Sequence, residues 1–102
     1  MVGALLRLAD SQGGFGTVIA RGDERAGSIL VLLVERGRPA LSLERVLQPS
    51  GRYTWGESLL DGTEAELDAL LARRRRFDPD LWVVELDIAS AERFAAEMKQ
   101  LD

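Results

Sequence analysis

The segment Ser28 to Glu35, SILVLLVE, restricts the fold more than any other part of the chain. It is continuously apolar and rich in residues that favour extended backbone. It is far too short to cross a bilayer. An apolar run of this length bounded by turn residues reads as a strand buried on both sides. Two arrangements satisfy it. Helices cover both faces, or a helix layer covers one face and a partner chain the other. The remaining elements must supply those covers.

Upstream, Val2, Leu5, Leu6 and Ala9 recur at helical spacing and mark one apolar face. Gly13 and Gly14 stop that helix, because glycine adopts the left-handed conformation a helix end requires. Phe15 to Ala20 reads as a strand, followed by a turn from Gly22-Asp23 to Gly27. Downstream, Gly37 and Pro39 turn the chain. Leu41, Leu43 and Leu47 then alternate with Ser42, Glu44 and Gln48 as a half-buried strand. Pro49-Ser50-Gly51 forms a hairpin turn into a short strand, Arg52 to Gly56. These four strands are expected to form an antiparallel meander.

Asp61-Gly62 ends the strand region. Thr63 and Glu66 have capping-box spacing: the threonine hydroxyl accepts from the Glu66 amide, and the glutamate reaches back to the Thr63 amide. Leu67, Leu70 and Leu71 form the apolar stripe of that helix, and Pro79 stops it no later than Asp78. Leu81 to Leu86 is a fifth strand. Ser90 caps a last helix with Phe94, Met98 and Leu101 on one face. The expected fold is a single α+β domain over residues 1–102, in the order α-β-β-β-β-α-β-α. It has two layers: a mainly antiparallel sheet of about five strands, with helices on one face. Its expected core includes Leu5, Ile19, Val31, Leu43, Leu70, Trp82, Val84 and Phe94.

Composition removes whole classes of chemistry. The chain has no histidine and no cysteine. A Ser-His-Asp triad, a Cys-His pair, an ordinary zinc site and a disulfide framework are therefore excluded. Twelve of the 13 basic residues are arginine, and Lys99 alone is lysine. The net charge of -4 argues against general nucleic-acid binding but allows a local basic patch. The N-terminal MVGALLRLADSQGG lacks the basic lead and long apolar core of a signal peptide, so a bacterial-type cytoplasmic location is expected, with no membrane association.

Four consecutive arginines, Arg73 to Arg76, are the sharpest charge feature. They suit an anion clamp for a nucleotide or RNA phosphate, with Arg52 or Arg21 assisting. They equally suit a helix C-terminus, where each cation gains about 0.3–1 kcal/mol from the macrodipole. Successive helical residues point about 100° apart, so four cannot face one phosphate. The structural reading therefore carries more weight. Tyr53 and Trp55 share one face of a short strand and form the candidate partner surface.

Other motifs weigh less. Asp78, Asp80, Glu85 and Asp87 do not match a calcium-loop spacing, and Asp-Pro-Asp is ordinary turn chemistry. The glycines of Gly13-Gly14-Phe15-Gly16 follow a helix and enter a strand, the reverse of a phosphate loop. Arg21-Gly22-Asp23 reads as a turn. No catalytic residue, metal site or cofactor is assigned.

GGFGTVIARGD, Ala26-Gly27 with the apolar strand after it, LERVL and RRRRFDPDLWVVELD together resemble a family of uncharacterised bacterial proteins, the domain of unknown function 1491 family. The resemblance spans roughly Leu5 to Leu86, and RRFDPDLWVVEL is its most specific part. It implies a small, free-standing intracellular protein from an alphaproteobacterium. It carries no established activity, substrate or catalytic residues.

Three functions follow as expectations. The leading one is a non-catalytic interaction or assembly module, a homodimer in which a partner covers the sheet face that helices leave open. The second is anion binding through the arginine block. The third is a carboxylate-dependent enzyme, with or without a divalent metal.

Overall fold

The structure, a computed structural model, describes residues 1–23 and 28–101. Its elements are α1 (Val2–Ser11), β1 (Phe15–Ala20), β2 (Ile29–Glu35), β3 (Arg38–Leu47), β4 (Tyr53–Leu59), α2 (Glu64–Phe77), β5 (Trp82–Asp87) and α3 (Ala91–Met98). The α+β class and the element order match the sequence reading. Residues 24–27 of the expected turn lie outside the described residues.

The five strands form one sheet in the order β1-β5-β2-β3-β4. Three neighbouring pairs are antiparallel, and β2 and β5 run parallel. The expected four-strand meander therefore holds only for β2, β3 and β4, because β5 inserts between β1 and β2. Burial explains the insertion. Val83 on one face of β5, and Val84 and Leu86 on the other, are all fully buried, which requires cover on both sides. Of β1, only Ala20 is buried, and that strand takes the edge.

Helices cover both faces of the sheet. From β2, Ile29, Val31 and Leu33 face α1 and α3, packing with Leu5, Ala9, Phe94 and Met98. Leu30 and Leu32 face the other way. They pack with Ala20, Leu81 and Val83 beneath Leu67, Leu70 and Leu71 of α2. Two helices do share one face as expected, but α2 crosses to the other. The open sheet face that called for a partner is thereby filled over β2, where six consecutive residues are buried.

Local chemistry sets the element boundaries. Arg36 and Gly37 both have positive φ, 51° and 81°, as a two-residue type I′ hairpin turn between β2 and β3 demands. Glu35 at the end of β2 accepts a hydrogen bond from the Ala91 amide at 2.7 Å, and Ser90 Oγ accepts from the Arg93 amide at 3.3 Å. Two orphan donors of α3 are satisfied in this way. That helix ends at Met98, so Leu101 falls outside it, half-exposed. Ile19 also leaves the expected core. Val18 pairs with Val84 and Ala20 with Val83, and the bulge between them turns Ile19 outward.

The capping box at α2 is rearranged. Thr63 Oγ1 accepts from the Glu66 amide at 3.2 Å as expected. The Thr63 amide and hydroxyl, however, both donate to Asp61 Oδ1, at 2.9 and 2.7 Å. Glu66 instead accepts from the Asp61 amide at 2.7 Å. The Thr63 hydroxyl, then the Thr63 amide, hold the Asp61 carboxyl below its ordinary value of 3.8.

Two predictions follow. A Cβ on Gly16 would lie 2.5 Å from Leu6 Cδ2 and 2.7 Å from Leu86 Cδ2, where α1 rests on the sheet. Gly16→Ala should cost about 1–3 kcal/mol in urea denaturation, as overpacking does. The second concerns pH. A carboxyl depressed in the folded state adds stability above its unfolded value, and that stability is lost as pH falls through the folded one. The difference in melting temperature between wild type and Asp61→Ala should therefore narrow between pH 7 and about pH 3. A constant gap would contradict the assignment.

Candidate functional site

The arginine block does not form a cluster. Arg74 turns toward the sheet and pairs with Glu44 on β3. Arg73, Arg75 and Arg76 are exposed, spread around the last turns of α2. Three of the four fall in the last turn, where the helix dipole favours them. This is the charge-complemented helix end of the structural reading.

Arg52 lies elsewhere. Glu44 and Arg45 are neighbours on β3 and so point to opposite faces of the sheet. Glu44 faces α2 and Arg74. Arg45 faces the α1 and α3 side, where a groove of about 500 Å³ is lined by Arg45, Arg52, Tyr53 and Lys99. The sheet therefore separates Arg52 from the arginine block. What the structure brings together is a different set of cations, contributed by β3, the β3–β4 turn and the end of α3.

Each member is positioned by its own element. Arg45 stands directly across from Trp55 in the β3–β4 register and lays its guanidinium over the Tyr53 ring, 4.0 Å from the centroid. Such stacking is worth roughly 0.5–1 kcal/mol at an exposed site and holds the arginine fork in a defined plane. Arg52 is held by the turn. Gly51 takes φ 88°, its amide donates to the Gln48 carbonyl at 2.9 Å, and the Gln48 amide donates to the Arg52 carbonyl at 2.7 Å. Gln48 Nε2 donates to Thr54 Oγ1 at 2.9 Å across the same turn. Lys99 caps α3, and its Nζ lies 3.4 Å from Glu57 Oε1 on β4. Both partners are well exposed, so this pair is weak and easily opened.

Tyr53 and Trp55 do lie on an edge strand, but they differ in role. Trp55 is half-buried and packs against the main core, while Tyr53 is exposed and lines the groove. The Trp55 indole N–H is enclosed with no acceptor among the described residues. Sequence reasoning missed Arg45 and Lys99. A usable signal existed for Arg45, which follows Leu41 and Leu43 at period two and so shares their core-facing side.

The remaining motifs have structural explanations. Gly13 takes φ 80° at the end of α1, Gly14 lies against the Asp87 carbonyl, and Gly16 admits Leu6. Arg21-Gly22-Asp23, expected as a turn, is instead irregular chain laid along the entry to β5: the Asp23 amide donates to the Asp80 carbonyl at 3.1 Å, and Trp82 Nε1 donates to the Asp23 carbonyl at 3.2 Å. Gly22 could not carry a Cβ there, since the Asp80 carbonyl oxygen would lie 2.1 Å from it. Asp78 accepts from the Asp80 amide at 3.2 Å in an Asx turn. Among the described residues no group of three carboxylates is gathered that could hold a metal ion. No helix among them is long and apolar enough to cross a membrane.

Comparison with known proteins agrees with this architecture. A crystal structure of a DUF1491 family protein from Caulobacter crescentus CB15 superposes with a TM-score of 0.75 at 36% identity, covering 91% of this chain and 88% of that one. The solution structure of a protein from A. tumefaciens superposes with a TM-score of 0.77 at 33% identity, covering 91% and 86%. No curated protein matches the chain. The family described as "Protein of unknown function (DUF1491)" matches residues 1–96. With that match over nearly all its length, the chain belongs to the DUF1491 family.

Proposed function

We propose that the protein is a non-catalytic interaction and assembly module that pairs with a second copy of itself along the outer edge of β1. The observation that carries this reading is the chemistry of that edge. Among the described residues β1 has a strand neighbour on one side only. Its sequence, FGTVIA, contains no charge and no proline, the usual protections of an exposed edge. Phe15 is 64% exposed, Ile19 46% and Val18 37%.

The strand is also self-complementary. An antiparallel pairing centred on Thr17 sets Phe15 of each copy against Ile19 of the other, and Gly16 against Val18. Aromatic and β-branched cross-strand pairs of this kind add roughly 0.2–1 kcal/mol each. The main-chain groups of both edges are satisfied at the same time, and the two sheets become one. The opposite edge is less suited to self-pairing, because β4 carries Glu57. The reading includes a bacterial cytoplasmic location, in keeping with a chain that has no cysteine to oxidise. Its non-catalytic part rests on the absence of histidine and cysteine from the sequence.

Sedimentation velocity at high micromolar concentration tests the proposal. Wild type should sediment as a dimer. Ile19→Lys should sediment as a monomer with its stability within about 0.5 kcal/mol of wild type, as for a surface substitution. A strictly monomeric wild type would overturn the reading.

A further inference from the structure

A cavity of about 550 Å³ opens at the end of the sheet where β2 stops, β3 begins and β4 leaves for α2. Its size falls within the range of small-molecule sites. Its wall carries two charges of each sign, Glu35 and Asp61 against Arg36 and Arg38. Among the described residues no ion pair joins any two of these four. The carboxylates are engaged by their own local donors. Glu35 Oε1 accepts from the Ala91 amide, and Asp61 Oδ1 accepts from the Thr63 amide and hydroxyl. Both arginines are exposed. Arg38 lays its guanidinium over the backbone of Gly62, where a Cβ would lie 2.9 Å from Nη2. The rest of the wall is apolar, with Pro39, Ala40, Leu60 and Ala89.

Arg36 breaks a local rule. It takes the first central position of the type I′ turn with φ 51°, where asparagine or glycine is relaxed and a long side chain is not. Among the described residues it is the one non-glycine with positive φ. Strain of this kind gathers at ligand sites, where the side chain is worth its cost.

We infer that this cavity binds a free α-amino acid with an apolar side chain. Arg36 and Arg38 take its carboxylate, Glu35 and Asp61 take its ammonium, and Pro39 and Leu60 with their neighbours receive the side chain. A guanidinium fork matches the two oxygens of a carboxylate, and an ammonium has three donors for carboxylate acceptors. The Thr63 hydroxyl, which holds the Asp61 carboxyl below its ordinary value, keeps that group charged at neutral pH. A simple anion would meet Glu35 and Asp61 as like charges, and a simple amine would meet the two arginines. A zwitterion satisfies both sets at once. Its side chain adds the gain of leaving water for the apolar wall.

The test is titration of the protein, labelled with nitrogen-15, followed by NMR. The probes are L-leucine, glycine, and two compounds that each lack one of leucine's charged groups, 4-methylpentanoate and isopentylamine. Leucine should shift the amides of residues 36, 38, 61, 62 and 89. It should bind about tenfold or more tightly than either single-charge compound, as a charged hydrogen bond contributes. Glycine should bind more weakly than leucine. Arg38→Gln should weaken leucine binding about tenfold or more. Arg36→Asn should weaken it similarly while raising the melting temperature, because asparagine relaxes the turn. That opposition of binding and stability is one that a merely structural Arg36 would not produce. Arg75→Gln on α2 should bind as wild type does. Melting curves for Arg38→Gln separate lost binding from lost folding. Absence of shifts at tens of millimolar leucine, equal binding of 4-methylpentanoate, of isopentylamine or of glycine, or full binding by Arg36→Asn would each overturn the assignment. No residue of β1 lines the cavity, so the result stands or falls apart from the β1 pairing.

Discussion

Burial of β2 on both faces is the constraint on which the rest of the structure depends. Fully burying a valine, leucine or isoleucine side chain contributes about 1.5–3 kcal/mol, against about 1–2 kcal/mol to order a residue's backbone. Six adjacent residues of β2 are buried, so a large share of the chain's favourable burial is concentrated in one strand. That concentration dictates the layering. One helix pair must lie on the Ile29, Val31 and Leu33 side, and a third helix on the Leu30 and Leu32 side. It also dictates the sheet order, because both of β2's edges must be paired by strands that tolerate burial.

Much of this was legible from residue pattern alone. The double-sided burial of SILVLLVE, the helix stops at Gly13 and Pro79, and the Thr63 and Ser90 caps are local signals. Local signals survive folding unless a competing partner intervenes. One did at Asp61, whose carboxylate takes the Thr63 amide that the capping-box rule assigns to Glu66. The position of β5 was not legible. Neither LWVVEL nor FGTVIA states which strand it will join, and only the comparison of their burial separates interior from edge. The bulge that expels Ile19 was equally invisible, since it depends on the register β1 adopts against β5.

The groove shows the same division more sharply. Arg73 to Arg76 are adjacent in sequence and conspicuous, yet the helix disperses them. Arg45, Arg52 and Lys99 are far apart in sequence and inconspicuous, yet sheet register, a five-residue turn and the end of a helix bring them together. Convergence of this kind is a property of topology. Only the alternation of Leu41, Leu43 and Arg45 hinted that one charge would share the side of the core.

The insertion of β5 between β1 and β2 has a consequence for how the chain assembles. Phe15 pairs with Asp87, and Ile29 with Trp82, so both sides of the central gap close only when the penultimate element arrives. Contacts of such long sequence separation slow folding, because the loop must close before they form. During synthesis the chain can build the β2–β3–β4 meander, but β2 keeps one bare edge until Trp82 to Asp87 leaves the ribosome. Through that interval β1 has nothing among the described strands to pair with. The last-made strand is thus the keystone of the sheet, and a chain interrupted before residue 82 would display an unpaired β1 and a bare apolar edge on β2, features prone to aggregation.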